Sequence, residues 1–113
     1  MADMVTPEFL DAFADAWNRH DADAIVSMMT EDCVMYLSAG PTKEGARFEG
    51  HDEIRAAANA VFARLPDVQW LDAHHLIASD FAVTRWVLVE MGRDGEKIET
   101  NGCDICQCRN GLV

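Results

Sequence analysis

An aspartate in the middle of an otherwise unremarkable strand is the first residue of this chain whose position asks for a chemical reason. Asp104 lies between Cys103 and Ile105, in a run from Lys97 to Arg109 that reads as β. Acids are poor strand residues and costly to bury. Alternation puts Asp104 on one face with Thr100, Gly102, Cys106 and Cys108. A carboxyl facing an apolar enclosure has its charged form destabilised, so its pKa rises toward the range useful to a general acid or base. The competing expectation is a structural acid held by a Trp, Tyr or backbone donor.

Other residues can join it. His74 and His75 are adjacent on a neighbouring strand, so one faces Asp104's side and can serve as base or orienter. Continuing the alternation of Val68, Trp70 and Asp72 favours His74. Tyr36 carries a hydroxyl that needs a partner if buried, which makes it a candidate donor to an oxyanion. Trp17, Phe62, Trp86 and Cys106 are expected walls of a substrate pocket. Arg47 and Glu49 would rim its opening or stand in solvent.

Cys33, Cys103, Cys106 and Cys108 raise the question of a metal or a disulfide. On a strand, positions 103 and 106 point to opposite faces while 106 and 108 share one, so three thiolates cannot converge. Residues two apart on an extended strand are also badly placed for a disulfide. All four read as small, apolar, buried residues, with no metal site expected. No motif points to a nucleotide, flavin or haem, so no cofactor is expected either.

These residues need elements to position them. Thr6-Pro7-Glu8 is a helix start, with a capping hydroxyl, a proline suited to the first position and an acid favoured by the dipole. Phe9, Leu10, Phe13 and Trp17 then form an apolar stripe, with Asp11 and Asp15 expected on the wet face. Asn18-Arg19-His20-Asp21 breaks that helix, and Asp21 or Asp23 caps a second one carrying Ala24, Ile25, Met28 and Met29. Cys33 to Leu37 reads as a strand, and Ser38 to Gly50 as a loop. A third helix opens at Gly50 and stops at Pro66, with Ile54, Ala58, Val61, Phe62 and Leu65 on its core face. Three strands follow, near 68–78, 81–91 and 97–109, joined by Ser79-Asp80 and by Gly92-Arg93-Asp94-Gly95. The strand 81–91 is apolar on both faces, so helices should cover one side and a second subunit the other.

At 113 residues the chain reads as one domain. Its net charge of −11, from 20 acids and 9 scattered bases, argues against nucleic acid and against anionic membranes. There is no apolar run near the ~18 residues of a membrane span, and Met1 to Met4 lack the features of a signal peptide. A cytoplasmic location is expected. Asn110-Gly111 is a strong turn followed by only Leu112 and Val113, which suggests a further strand that this sequence lacks.

Three stretches, AWNRHDADAIVSMMTEDCVM, FEGHDEIRAAANAVFARLP and NGCDICQCRNGLV, give the whole chain a layout that resembles the nuclear transport factor 2-like superfamily, and within it the SnoaL-like proteins. The resemblance implies an α+β fold: a cone-shaped, curved antiparallel sheet with N-terminal helices packed on its concave face, an apolar pocket between them, and a homodimer through the convex face. It implies a small, mostly apolar ligand and chemistry without a cofactor, in a superfamily of isomerases, cyclases, hydrolases, dehydratases and non-catalytic binders. In the ketosteroid isomerases a helix-one tyrosine and a penultimate-strand acid form an oxyanion hole, and an acid near the end of the first strand is the base. These positions fall on Ala14, Asp104 and Leu37, or on Tyr36 with a shift of one, and only Asp104 keeps its chemistry. The Arg-x-Asp pair of limonene epoxide hydrolases falls on Arg85-Trp86-Val87, without its acid. SnoaL-like cyclases carry a penultimate-strand general acid/base, which Asp104 matches. An isomerase, cyclase, lyase or hydrolase using Asp104, a non-catalytic binder and a dimeric interaction domain are the three functional expectations.

Overall fold

Two capped helices and a pair of polar side chains fix how the N-terminal half sits on the sheet. The structure is a computed structural model and describes residues 5–37, 43, 45–92, 94–109 and 111–113. Met1 to Met4, residues 38–42 and 44, Arg93 and Asn110 lie outside the described residues, with the readings that fell on them. Helix α1 (Pro7–Asn18) starts as its residues require: Thr6 accepts from the Phe9 amide at 3.0 Å, and Pro7 follows the cap. Helix α2 (Ala22–Ser27) is capped by Asp21, which accepts from the Ala24 amide at 3.0 Å.

Between them lies the polar break, and each of its residues has work in three dimensions. Asn18 pairs with the backbone of Trp70 as a neighbouring strand would, accepting from its amide at 2.7 Å and donating to its carbonyl at 2.9 Å. His20 turns the chain at φ 56°, contacts the Val68 carbonyl through Nε2 at 2.8 Å and stacks on Phe62 with centroids 4.4 Å apart. Gln69 returns a hydrogen bond to the Asn18 carbonyl at 2.8 Å. Helix α1 is thereby tied to the free edge of the first long strand.

Strands β1 (Val34–Leu37) and β2 (Ala46–Glu49) form an antiparallel pair of their own. Strand β2 was not expected: its four residues fall inside the segment that reads as a loop, too short to show a pattern of its own. Helix α3 (Gly50–Arg64) follows, with Gly50 at φ 81° where a side chain would be strained. Its His51 reaches the Met29 and Thr30 carbonyls, at 3.0 and 3.1 Å, and holds the loop after α2.

Strands β3 (Gln69–Ala78), β4 (Phe81–Met91) and β5 (Lys97–Gln107) make the main sheet in the order β3-β4-β5. The architecture is the expected α+β one, three helices with antiparallel sheets. Two apolar clusters form on the helix side. The larger gathers Ala16, Ile25, Val26, Ile54, Ala58, Phe62 and Val68, with Trp17 and Trp70 against it. The smaller joins Val5, Leu10, Ala82 and Cys108 at the other end of the sheet. Full burial of Ile25 and of Ile54 is worth about 1.5–3 kcal/mol each.

The register of β3 slips once. Gln69, Trp70 and Leu71 pair with Val89, Leu88 and Val87, but pairing resumes at His74 with Arg85, and Asp72 in the gap has φ 57°. A bulge of this kind adds a residue and inverts the in-out alternation beyond it. Trp70 and His75 therefore share the helix side of the sheet in spite of their opposite parity, and His74 is turned outward and exposed. This corrects the expectation that favoured His74, which extended an unbroken alternation through Asp72.

The Asn18 pairing gives a direct prediction. Asn18→Ala leaves two part-buried backbone groups of Trp70 without partners, and should cost about 1–3 kcal/mol in a denaturant titration. A loss within experimental error would show that α1 is held by its apolar stripe alone.

Candidate functional site

One polar row crosses the helix side of the main sheet between the two apolar clusters. His75 of β3 is the register partner of Thr84 of β4, and Thr84 is the partner of Asp104 of β5. Directly opposed residues on one face bring their Cβ atoms to roughly 4.5–5.5 Å, so the three side chains stand in line. His75 Nδ1 lies 2.9 Å from Thr84 Oγ1, and its Nε2 lies 2.7 Å from an Asp11 carboxylate oxygen. An ionised Asp11 can only accept, so Nε2 carries a hydrogen and, in the neutral ring, Nδ1 accepts from the Thr84 hydroxyl. The imidazole is almost covered, with 7% of its side chain exposed, while Asp11 keeps 69%.

Asp104 stands at the open end of the row. Strand β5 is the sheet's outer strand in this register, and most of its residues face solvent on both sides. Asp104 itself keeps an exposed surface. Even so, loss of hydration on the sheet side raises its pKa above the ordinary aspartate value, and the Trp86 indole opposes part of that rise. The two observations concern different sides of one group: water reaches the carboxyl from the open side, and protein surrounds it on the other. Beside it, Cys106 is half-buried and its thiol is pushed up to about 12, first by burial and then by the nearby Asp104 charge. That thiol is no nucleophile at neutral pH.

Trp86 belongs to the next row, opposite Gly102. A methyl at Gly102 would fall 2.6 Å from Cζ3 and 3.0 Å from Cζ2 of the indole, so the ring lies across that glycine. Its Nε1 is buried and makes no well-formed hydrogen bond among the described residues. The indole dipole still favours the Asp104 carboxylate.

The other expected site residues fall elsewhere. Tyr36 is 54% exposed on β1, where its register partner is Arg47 of β2. It takes no part in the polar row. Trp17 and Phe62 belong to the larger apolar cluster, where their rings meet edge-on at 5.8 Å and Trp17 meets Trp70 at 5.5 Å. Trp86 and Cys106 do flank Asp104, on its own face of the sheet. Arg47 and Glu49 pair with each other at 2.9 Å. Cys103 is exposed, on the opposite face from Asp104, and so departs from the expectation that all four cysteines are buried.

Asp11 and Thr84 were not singled out from the sequence. Helical periodicity gave no signal for Asp11, which at about 100° per residue falls well away from the stripe of Phe9, Leu10, Phe13 and Trp17. Thr84 is one threonine among strand residues, and only its two cross-strand partners give it meaning.

Concave surface is found away from this row. Hollows of about 550 and 480 Å³ are lined by Arg19, His20, Asp23 and Arg55 in the first and by Glu31, Glu49, His51 and Asp52 in the second. Both are polar, and the arginines of the first are already engaged, Arg19 with Asp15 and Arg55 with Asp23, each at 2.8 Å. Neither hollow contains Asp104. No helix of the described residues is long and apolar enough to cross a membrane.

Helices at the N-terminus, a short strand pair and a three-stranded antiparallel sheet with a polar row define a cone-type α+β domain, and solved structures share it. An uncharacterised cystatin-fold protein of Novosphingobium aromaticivorans superposes with a TM-score of 0.76 at 21% identity, over 96% of this chain and 92% of its own. A protein of ketosteroid isomerase-like fold from Catenulispora acidiphila, solved in complex with trimethylamine, gives 0.82 at 18% identity, over 96% and 81%. TerC, co-crystallised with polyporic acid, gives 0.76 at 17%, over 93% and 82%. The sequence itself matches the model of the SnoaL-like domain over residues 10–113, and the chain belongs to that family. A search of the curated proteins finds no match.

The raised pKa of Asp104 carries a consequence for stability. The folded chain holds that proton more tightly than the unfolded one, so this group's contribution falls as pH rises from the ordinary carboxylate value of about 3.9 through the folded value. Asp104→Asn removes the charge and should raise the melting midpoint at neutral pH, with the gain fading as pH drops below about 4. A variant equally stabilised at both pH values, or destabilised at neutral pH, would contradict the shift.

Proposed function

We propose that this SnoaL-like domain binds a small, largely apolar molecule on the helix side of its sheet and that Asp104 exchanges a proton with it, as the acid/base of a cofactor-independent isomerase, cyclase, lyase or hydrolase. The observation that carries the reading is the placement of Asp104 between two apolar clusters, in line with Thr84 and His75, with its protonated form favoured by burial. A carboxyl tuned upward can take a proton from carbon or oxygen and return it, which is what such reactions need. Trp86 and Cys106 supply apolar surface on either side of it along the sheet. TerC and the Catenulispora protein share the fold and were crystallised with polyporic acid and trimethylamine, which supports a small organic ligand here. A non-catalytic binder of the same kind of molecule is the alternative, and the same experiment separates the two.

That experiment is a thermal-shift screen of steroids, terpenoids and aromatic polyketides, with wild type and Asp104→Asn side by side. A true ligand at a hundredfold excess over its dissociation constant should raise stability by about 2.7 kcal/mol. Turnover by wild type and none by Asp104→Asn supports an acid/base role. Binding by both proteins with turnover by neither makes the domain a binder. No shift in either protein overturns the ligand reading.

A second reading concerns the outer face of the same sheet. Leu76 and Ile105 are 69% and 73% exposed, both partner Val83 across the strands, and Leu71 and Phe81 extend the patch at 43% and 48%. Exposed apolar residues packed this closely point to a protein partner, and we propose that a second copy of the chain covers them. Ile105→Asp should shift a wild-type dimer toward monomer in sedimentation experiments, with the far-UV spectrum unchanged. A wild-type monomer at high micromolar concentration would dispose of the idea.

A further inference from the structure

We infer that Trp86, seated on Gly102, is a positioning residue that holds a buried, unpartnered indole N–H diagonally beside Asp104, ready to serve the ionised carboxyl. The inference deepens the acid/base reading of Asp104, but it concerns a titration and can be tested without any substrate.

Register comes first. Trp86 opposes Gly102 and Thr84 opposes Asp104, so Trp86 is the diagonal neighbour of Asp104 on one face of the sheet. Diagonal pairs are within reach of an aromatic side chain. The ring lies over the one β5 position in that row that has no side chain, and any Cβ at residue 102 would push it away. A glycine in a strand interior weakens the strand, which makes close approach of a neighbour the reason for having one there. Trp86 Nε1 is buried and has no hydrogen-bond acceptor among the described residues. An indole N–H donates and its nitrogen does not accept, so an N–H turned to a carboxyl favours the charged form.

Among the described residues, the groups that face Asp104 are these. On its own strand the neighbour is the Cys106 thiol, neutral at physiological pH because burial pushes it up to about 12. On β4 the facing groups are Thr84 and Trp86, neither of them charged. His75 on β3 stands behind Thr84, and Asp11 of α1 stands behind His75. Burial pushes Asp104 up and the indole alone pulls it back. Trp86 is thus the adjustable part of this site: without it the carboxyl would remain protonated to higher pH and would release its proton less readily.

The titration can be followed by carbon NMR of aspartate-labelled protein, with Asp104→Asn assigning the resonance. Trp86→Phe keeps the ring and deletes the donor, and should move the Asp104 midpoint up. Gly102→Ala keeps the indole but displaces it, and should move the midpoint in the same direction. Wild type offers a check that needs no folded Trp86 variant. The Trp86 indole nitrogen resonance should titrate with the Asp104 midpoint and should be flat in Asp104→Asn. An indole resonance that ignores the Asp104 titration, or a Trp86→Phe midpoint equal to that of wild type or below it, overturns the inference. Either result would leave the test of Asp104 in turnover standing on its own.

Discussion

Much of this molecule depends on the way the end of α1 is tied to the edge of β3. Asn18 supplies both a donor and an acceptor to Trp70, doing for that edge what another strand would do. His20 and Gln69 reinforce the same junction. Because the tie fixes both the height and the direction of the helix, Trp17 comes down on Trp70 and Phe62 at one end and Leu10 on Ala82 and Cys108 at the other. It also carries Asp11 over His75, since that contact needs the helix at this position along the strand. An edge left open at β3 would be a hazard for aggregation, so the polar break protects the sheet while it positions the helix.

The second constraint is the bulge in β3. One extra residue between Leu71 and His74 lets the strand serve the larger apolar cluster with Trp70 and the polar row with His75. A regular strand could not turn residues of opposite parity to the same side. The bulge thus divides one strand between two environments, apolar core at its start and the polar row further along.

The polar row itself is a balance of opposing effects on few groups. His75 is held at both nitrogens, which fixes its ring and leaves Thr84 as the link toward Asp104. Asp104 is loosely held, exposed on one side and enclosed on the other, with desolvation and an indole dipole acting against each other. The row lies between the two apolar clusters, with a fixed imidazole at one end and a loosely held carboxyl at the other.

Much of this was legible from residues alone. The helix starts, the polar break, the turns and the three long strands follow from local rules, since caps, prolines and alternation act over a few residues. Asp104 drew notice for the same reason: an acid in mid-strand violates a local rule. Strand β2 was hidden because four residues show no period without a partner. The choice between His74 and His75 needed the bulge, and a bulge is decided by pairing with β4 and not by the sequence of β3. Tyr36 looked like a site residue until β1 set it opposite Arg47 of β2. What the sequence by itself determined was the set of elements and the presence of one unusual acid. Tertiary structure alone decided which side chains share a face with it, because that depends on register across strands, a relation between residues far apart in the chain.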